Sequence, residues 1–104
     1  MPLLFLYNLL ANESDVITII CTARKEETRE RTEKWLADIG VQHHEAMFRR
    51  NNDPRPDDLV KKDMLYQIVE KYGVKPYLVF EDRKSVCKMW RDNGVMCLQM
   101  DEIE

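Results

Sequence analysis

The sequence has no cysteine pair at C-x-x-C spacing, no excess of positive charge and no long hydrophobic run. Each absence closes off a class of protein. Three widely spaced cysteines, Cys21, Cys87 and Cys97, are an odd number and make no disulfide framework, so a reduced, cytoplasmic setting is expected. Sixteen Lys and Arg stand against 19 Asp and Glu, a net charge of −3. No global positive field is available to hold nucleic acid, and any phosphate contact has to come from local clusters of Arg and Lys. The longest apolar run, Leu3–Tyr7, is far too short to span a bilayer, and it lacks the flanks of a signal peptide. Glycine (three) and proline (four) are sparse, and no repeat, low-complexity tract or linker interrupts the chain. With 44% hydrophobic residues in 104, the composition is that of a single folded domain over residues 1–104, not of a disordered segment.

What is present is an alternation of apolar strands and amphipathic helices. Val16–Cys21 is a β-branched run that reads as a strand covered on both faces. Glu26–Ile39 reads as a helix with Thr28, Thr32, Trp35, Leu36 and Ile39 on one face, closed by Gly40. A short strand is expected at Glu45–Arg49. A helix opened by Pro56 then runs to Tyr72, with Val60, Met64, Leu65, Ile68 and Val69 inward and Gly73 at its end. Tyr77–Phe80 reads as a strand, Lys84–Asn93 as a helix burying Val86, Met89 and Trp90, and Val95–Gln99 as a last strand before an acidic tail. Met47, Met64, Met89, Met96 and Met100 are expected to pack, and His43 and His44 to lie in a surface loop. The order argues an α/β fold with a mainly parallel sheet flanked by helices.

In such sheets ligands bind beyond the carboxyl ends of the strands. Thr22-Ala23-Arg24 follows the first strand, and a hydroxyl, free helix-terminal N–H groups and a guanidinium together suit a phosphate. A plainer reading makes Thr22 a helix cap. After the second strand come Arg49, Arg50 and Arg55, then Asp57 and Lys61 four apart on one helix face. A lysine fixed by an aspartate is a point charge able to neutralise a transferring phosphoryl group, though an exposed i,i+4 ion pair is the plainer account. After the third strand stand Glu81 and Asp82, which suit a hard cation such as Mg²⁺ or, more simply, a helix N-terminus. Together the three clusters describe Mg²⁺-assisted phosphoryl transfer.

The segments Ile20-Cys21-Thr22-Ala23-Arg24, Glu27-Thr28-Arg29-Glu30 and Trp35-Leu36 resemble the second conserved segment of haloacid dehalogenase (HAD)-type phosphatases. More narrowly they resemble the 3′-phosphatase domain of bacteriophage polynucleotide kinase/phosphatase. The likeness continues through Arg49, Arg55-Pro56-Asp57-Asp58-Leu59-Val60-Lys61, Glu81-Asp82-Arg83, Met89-Trp90-Arg91 and Gly94-Val95-Met96-Cys97-Leu98-Gln99. The resemblance implies a Rossmann-like sheet and a site with named roles. Thr22 would hold the phosphoryl group, and Arg24, Arg49 and Arg55 would engage substrate. Lys61 would neutralise charge with Asp57 positioning it, and Asp82 with Glu81 would serve Mg²⁺. Glu81 stands where the family usually has Asp.

The family's first motif, Asp-x-Asp-Gly-Thr on the central strand, supplies an aspartyl nucleophile, and nothing in the sequence matches it. Eight residues separate Tyr7 from Val16, whereas a parallel crossover needs about a dozen, so Leu3–Tyr7 is not expected to be that strand. A fold truncated at its N-terminus and lacking its central strand is therefore expected. Unpaired inner edges invite strand exchange, so a homodimer or a partner chain supplying strand and nucleophile is expected too. The resulting function is the C-terminal part of a Mg²⁺-dependent phosphatase acting on 3′-phosphate ends of polynucleotides or nucleotides, inactive alone. The competing function is a non-catalytic phosphate- or protein-binding module. A receiver-like signalling domain fits less well, since Asp82 has no acidic partners upstream.

Overall fold

The first strand begins later than the apolar run suggests. In the computed structural model, which describes residues 8–13 and 15–100, β1 spans Ile19–Lys25. Val16 and Ile17 precede it, and Ile17 is exposed. Apolar content marks what a chain tends to bury, but backbone pairing sets where a strand runs. β1 pairs in parallel with β2 (Glu45–Arg49), matching Ile19 with Glu45, Ile20 with Ala46 and Cys21 with Met47. The next match is Lys25 with Arg49, so four steps along β1 oppose two along β2. The surplus is a bulge holding Thr22, Ala23 and Arg24. Bulges re-aim side chains and are frequent beside active sites.

Between these strands a 3₁₀ turn (Glu26–Thr28) leads into α1 (Arg29–Asp38). Its buried residues are Thr32 and Leu36, four apart. Trp35 and Ile39, expected on the same inward face, are exposed. A ten-residue helix buries a narrow stripe, and Trp35 lies one residue, about 100° of rotation, away from Leu36. The loop before β2 is tied back by His44, whose ring Nδ1 accepts the Thr18 N–H at 3.0 Å. His44 is exposed in that loop, as expected, and the contact gives it a bracing role as well.

The second half begins with α2 (Asp57–Tyr72), which buries Val60, Met64, Leu65 and Ile68 as the 3.6-residue spacing predicts. Gly73 closes it at φ 78°, a left-handed conformation costly for any residue with a Cβ. Next come β3 (Leu78–Glu81), α3 (Lys84–Asp92) and β4 (Met96–Gln99), with β3 and β4 parallel and in register. Leu65, Val86, Cys87, Met89, Trp90, Val95 and Cys97 form one buried cluster, joined by Val69 and Val79. Tyr77 falls outside the strand, and Met96, expected to pack, points to solvent from β4.

Chain contacts divide at Asp53/Pro54 into two compact units, Met1–Asp53 and Pro54–Glu104. Among the described residues the strands form two two-stranded sheets, β1–β2 and β3–β4. The fold is α/β with parallel strands flanked by helices. Residues 8–11 are helical, whereas the run Leu3–Tyr7 and the tail Asp101–Glu104 lie outside the described residues.

All three cysteines are free, and Cys87 and Cys97 are buried. Burial, reinforced by a hydrogen bond with Cys87, pushes the Cys97 thiol up to about 12. The folded state thus keeps a proton that the unfolded chain gives up at ordinary thiol pH. This contribution to stability is intact below that range and is lost as pH rises toward 12, by at most about 1.4 kcal/mol per pH unit. Denaturant midpoints measured between pH 8 and 11 are expected to fall, and Cys97→Val to flatten the slope.

Candidate active site

The carboxyl end of β3 holds the most buried charges among the described residues. Glu81, the last residue of β3, is 6% exposed, and its Oε1 lies 3.1 Å from Nζ of Lys61, which is 13% exposed. Its other oxygen, Oε2, accepts the Arg83 backbone N–H at 3.2 Å. Burying either ion alone would cost several kcal/mol, and their pairing, with the Arg83 N–H on the other carboxylate oxygen, is what makes it tolerable. Lys61 sits one turn into α2, where the local spacing pointed to Asp57 as its partner. The structure gives it Glu81 from 20 residues away, and places the Asp57 carboxylate 3.2 Å from Nε of Arg83. A helix-spacing rule reports only neighbours on the same helix, whereas the carboxylate that holds this lysine comes from the end of a strand. Asp82 follows Glu81 and is exposed at the strand end. Arg55 pairs with Asp63 at 2.6 Å.

The other cluster is the β1 bulge. The Thr22 hydroxyl oxygen accepts the Arg24 backbone N–H at 3.1 Å, closing a tight turn. Arg49 donates from Nε to the Ala23 carbonyl at 2.8 Å and from Nη1 to the Asp53 carbonyl at 3.0 Å. It thus braces the bulge against the loop after β2. Asn51 Oδ1 accepts the Glu27 N–H at 2.8 Å, a second tie between the two loops. The Arg24 guanidinium lies over the Trp35 ring, 5.7 Å from its centroid.

Three contributors were not singled out from sequence. Arg83 joins the Asp57 carboxylate and, through its amide, Glu81; its position after the acidic pair was the available signal. Arg29 is gripped by Glu26 and Glu33 at 2.8 Å each, donates to the Ala46 carbonyl and stacks on Phe48. Its guanidinium is held further toward the charged form by those carboxylates, chiefly Glu26. The i−3 and i+4 spacing of the two acids is visible in the sequence. Asn51 has no such signal, because its partner lies across a loop.

Whether these residues suit magnesium turns on donor chemistry. Among the described residues no group of three or more His, Cys, Asp or Glu side chains gathers as a closed metal cluster. Magnesium does not need one: it is usually held by one or two carboxylates and fills its remaining positions with water and phosphate oxygens. The exposed Asp82 carboxylate fits that description. Glu81, with both oxygens engaged by Lys61 and Arg83, fits an orienting role.

The family model of the polynucleotide kinase PNKP phosphatase domain matches residues 4–104. A chain of the solved Pnkp1/Rnl/Hen1 RNA repair complex matches 96% of this chain at TM-score 0.82 and 25% identity, over 32% of its own length. A second solved Pnkp1/Rnl/Hen1 complex contributes a match over 95% of this chain and 34% of that one, at TM-score 0.79 and 23% identity. The chain therefore spans about a third of the length of the solved chains it matches. Sequence-model coverage and shared fold agree: this chain belongs to the PNKP polynucleotide kinase phosphatase-domain family, with a HAD-like α/β fold.

Proposed function

We propose that residues 1–104 are the C-terminal part of one HAD-type phosphatase domain that removes phosphate from the 3′ ends of polynucleotides or nucleotides with Mg²⁺. The observation that carries this reading is the buried Lys61–Glu81 pair at the end of β3, followed at once by exposed Asp82. An ammonium fixed in a low-dielectric setting stabilises charge developing on a phosphoryl group without reorganising at the moment of reaction. Glu81 holds Lys61 in place, and Asp57 holds Arg83 beside the same strand end. The Thr22 oxygen already accepts the Arg24 N–H, so its own O–H is left to donate to a phosphoryl oxygen. Arg24 offers a guanidinium to the substrate's phosphates, Arg55 would have to leave its Asp63 partner to do the same, and Arg49 keeps the bulge in shape. Asp82 would hold a magnesium ion, which when bound would supply Lewis-acid charge to the phosphoryl group.

The aspartyl nucleophile implied by the family has no match in residues 1–104. It comes, in this reading, from sequence outside those residues or from a partner chain, as does the central strand. The solved relatives are found in complexes with Rnl and Hen1. For this chain a second copy or a partner of that kind completes the sheet, in a cytoplasmic setting. No helix among the described residues is long and apolar enough to cross a membrane.

Hydrolysis of a 3′-phosphorylated oligonucleotide with Mg²⁺ tests the reading, for residues 1–104 alone and with an Asp-x-Asp-Gly-Thr segment added. Turnover only on addition is expected. No turnover in either arm, with phosphate binding retained, would favour a non-catalytic module. In the active assembly Thr22→Ala is expected to lower kcat about 10²-fold, by removing one hydrogen-bond donor to the transition state, and Thr22→Ser to restore most of it.

A further inference from the structure

Trp35 is an indole left half in water, 51% exposed, on a helix that buries its neighbour Leu36. Its one cation–π partner among the described residues is Arg24, from the β1 bulge. Arg31, one turn before Trp35 on the same face, is also exposed. The acid on that side of the helix, Asp38, is neutralised by Lys34 at 3.0 Å. The patch thus combines a flat aromatic surface with two guanidinium groups. That is the chemistry by which proteins hold single-stranded nucleic acid: bases stack on aromatic and Arg planes while the cations meet the backbone.

Position gives the patch a direction. The Thr22 hydroxyl accepts the backbone N–H of Arg24, so a group held at Thr22 is one side chain's length from the guanidinium that lies over Trp35. We infer that Arg24 and Trp35 form a stacking platform for the nucleobase of the terminal nucleotide, whose 3′-phosphate is held at Thr22. The inference rests on the 3′-phosphatase reading. It extends that reading by making the substrate a nucleotide end recognised through its base, and not a bare phosphate ester.

The chain has two tryptophans, and Trp90 is only 2% exposed, so fluorescence quenching by a ligand reports on Trp35. Titration would compare a short 3′-phosphorylated DNA oligonucleotide with the same oligonucleotide carrying an abasic terminal sugar. Quenching by the base-bearing end is expected. With affinities of the variants read instead from the anisotropy of a fluorophore at the 5′ end of the oligonucleotide, Trp35→Ala should weaken the base-bearing end roughly tenfold while leaving the abasic end unchanged, and Arg24→Ala should weaken both ends, the base-bearing one more. Trp35→Phe, which keeps an aromatic face and guards against a folding artefact, should recover most of the loss. Equal affinity for the two ends overturns the platform and leaves the phosphatase reading standing. Binding of neither end overturns both. A drop in molecular mass by light scattering on Trp35→Ala, without base dependence, overturns the platform in favour of a protein contact.

Discussion

Replacing Glu81 by Ala is expected to destabilise the Pro54–Glu104 unit by about 3–5 kcal/mol, because it leaves the Lys61 ammonium nearly buried and unpaired. The same substitution frees the Arg83 amide from its acceptor, adding the smaller cost of a lost hydrogen bond to a charged group. Urea unfolding followed by far-ultraviolet circular dichroism would show the loss as a lower midpoint. The double substitution Lys61→Met with Glu81→Leu separates pair strength from charge burial. With both ions replaced by apolar groups of similar volume, most of the stability is expected to return. If Glu81→Ala and the double substitution unfold at the same midpoint, the pair is not what anchors this strand end. Glu81→Gln belongs in the series, since it removes the charge and keeps an acceptor for only one of the two partners, its NH2 group facing the other donor.

That expectation depends on a contact the sequence does not display. The extent of β2, the helix from Asp57 to Tyr72 and the glycine stop at Gly73 were legible because local rules govern them. Periodicity marked the inward side of α2, and the left-handed residue at its end needs glycine. The partner of Lys61 follows from tertiary geometry instead: β3 ends beside α2, 20 residues away in sequence. The bulge in β1 was equally hidden. An apolar run shows where chain is buried, but the two residues by which β1 outruns β2 appear only in the register. Trp35 failed for the opposite reason, since an apolar residue at helical spacing reads as core until the packed surface is known. The acidic pair, the hydroxyl and the arginines could each be named as candidates from the sequence. What sequence withheld was which of them touch, and so which carboxylate is committed to holding a lysine and which is free to face a metal.

Asp82 is where that distinction gives the larger chemical effect. In the active assembly Asp82→Asn is expected to lower kcat at least 10²–10³-fold, the scale on which a single transition-state-stabilising group acts. Stability should stay within about 0.5 kcal/mol, because Asp82 is exposed and its removal strands no buried partner. The Mg²⁺ concentration for half-maximal activity should rise, with KM for the oligonucleotide changing less than kcat. Glu81→Gln is expected to behave differently, losing stability and activity together with a smaller shift in Mg²⁺ dependence, since its carboxylate acts through Lys61. Two neighbouring acids would then be split by a pair of measurements, one of unfolding and one of Mg²⁺ dependence. Should both substitutions shift the Mg²⁺ dependence equally and leave stability alone, the carboxylates are joint metal ligands and Lys61 is held by something else. The contrast rests on a difference of burial between adjacent residues: Glu81, the last residue of β3, is buried against Lys61, and Asp82, just past the strand, is exposed.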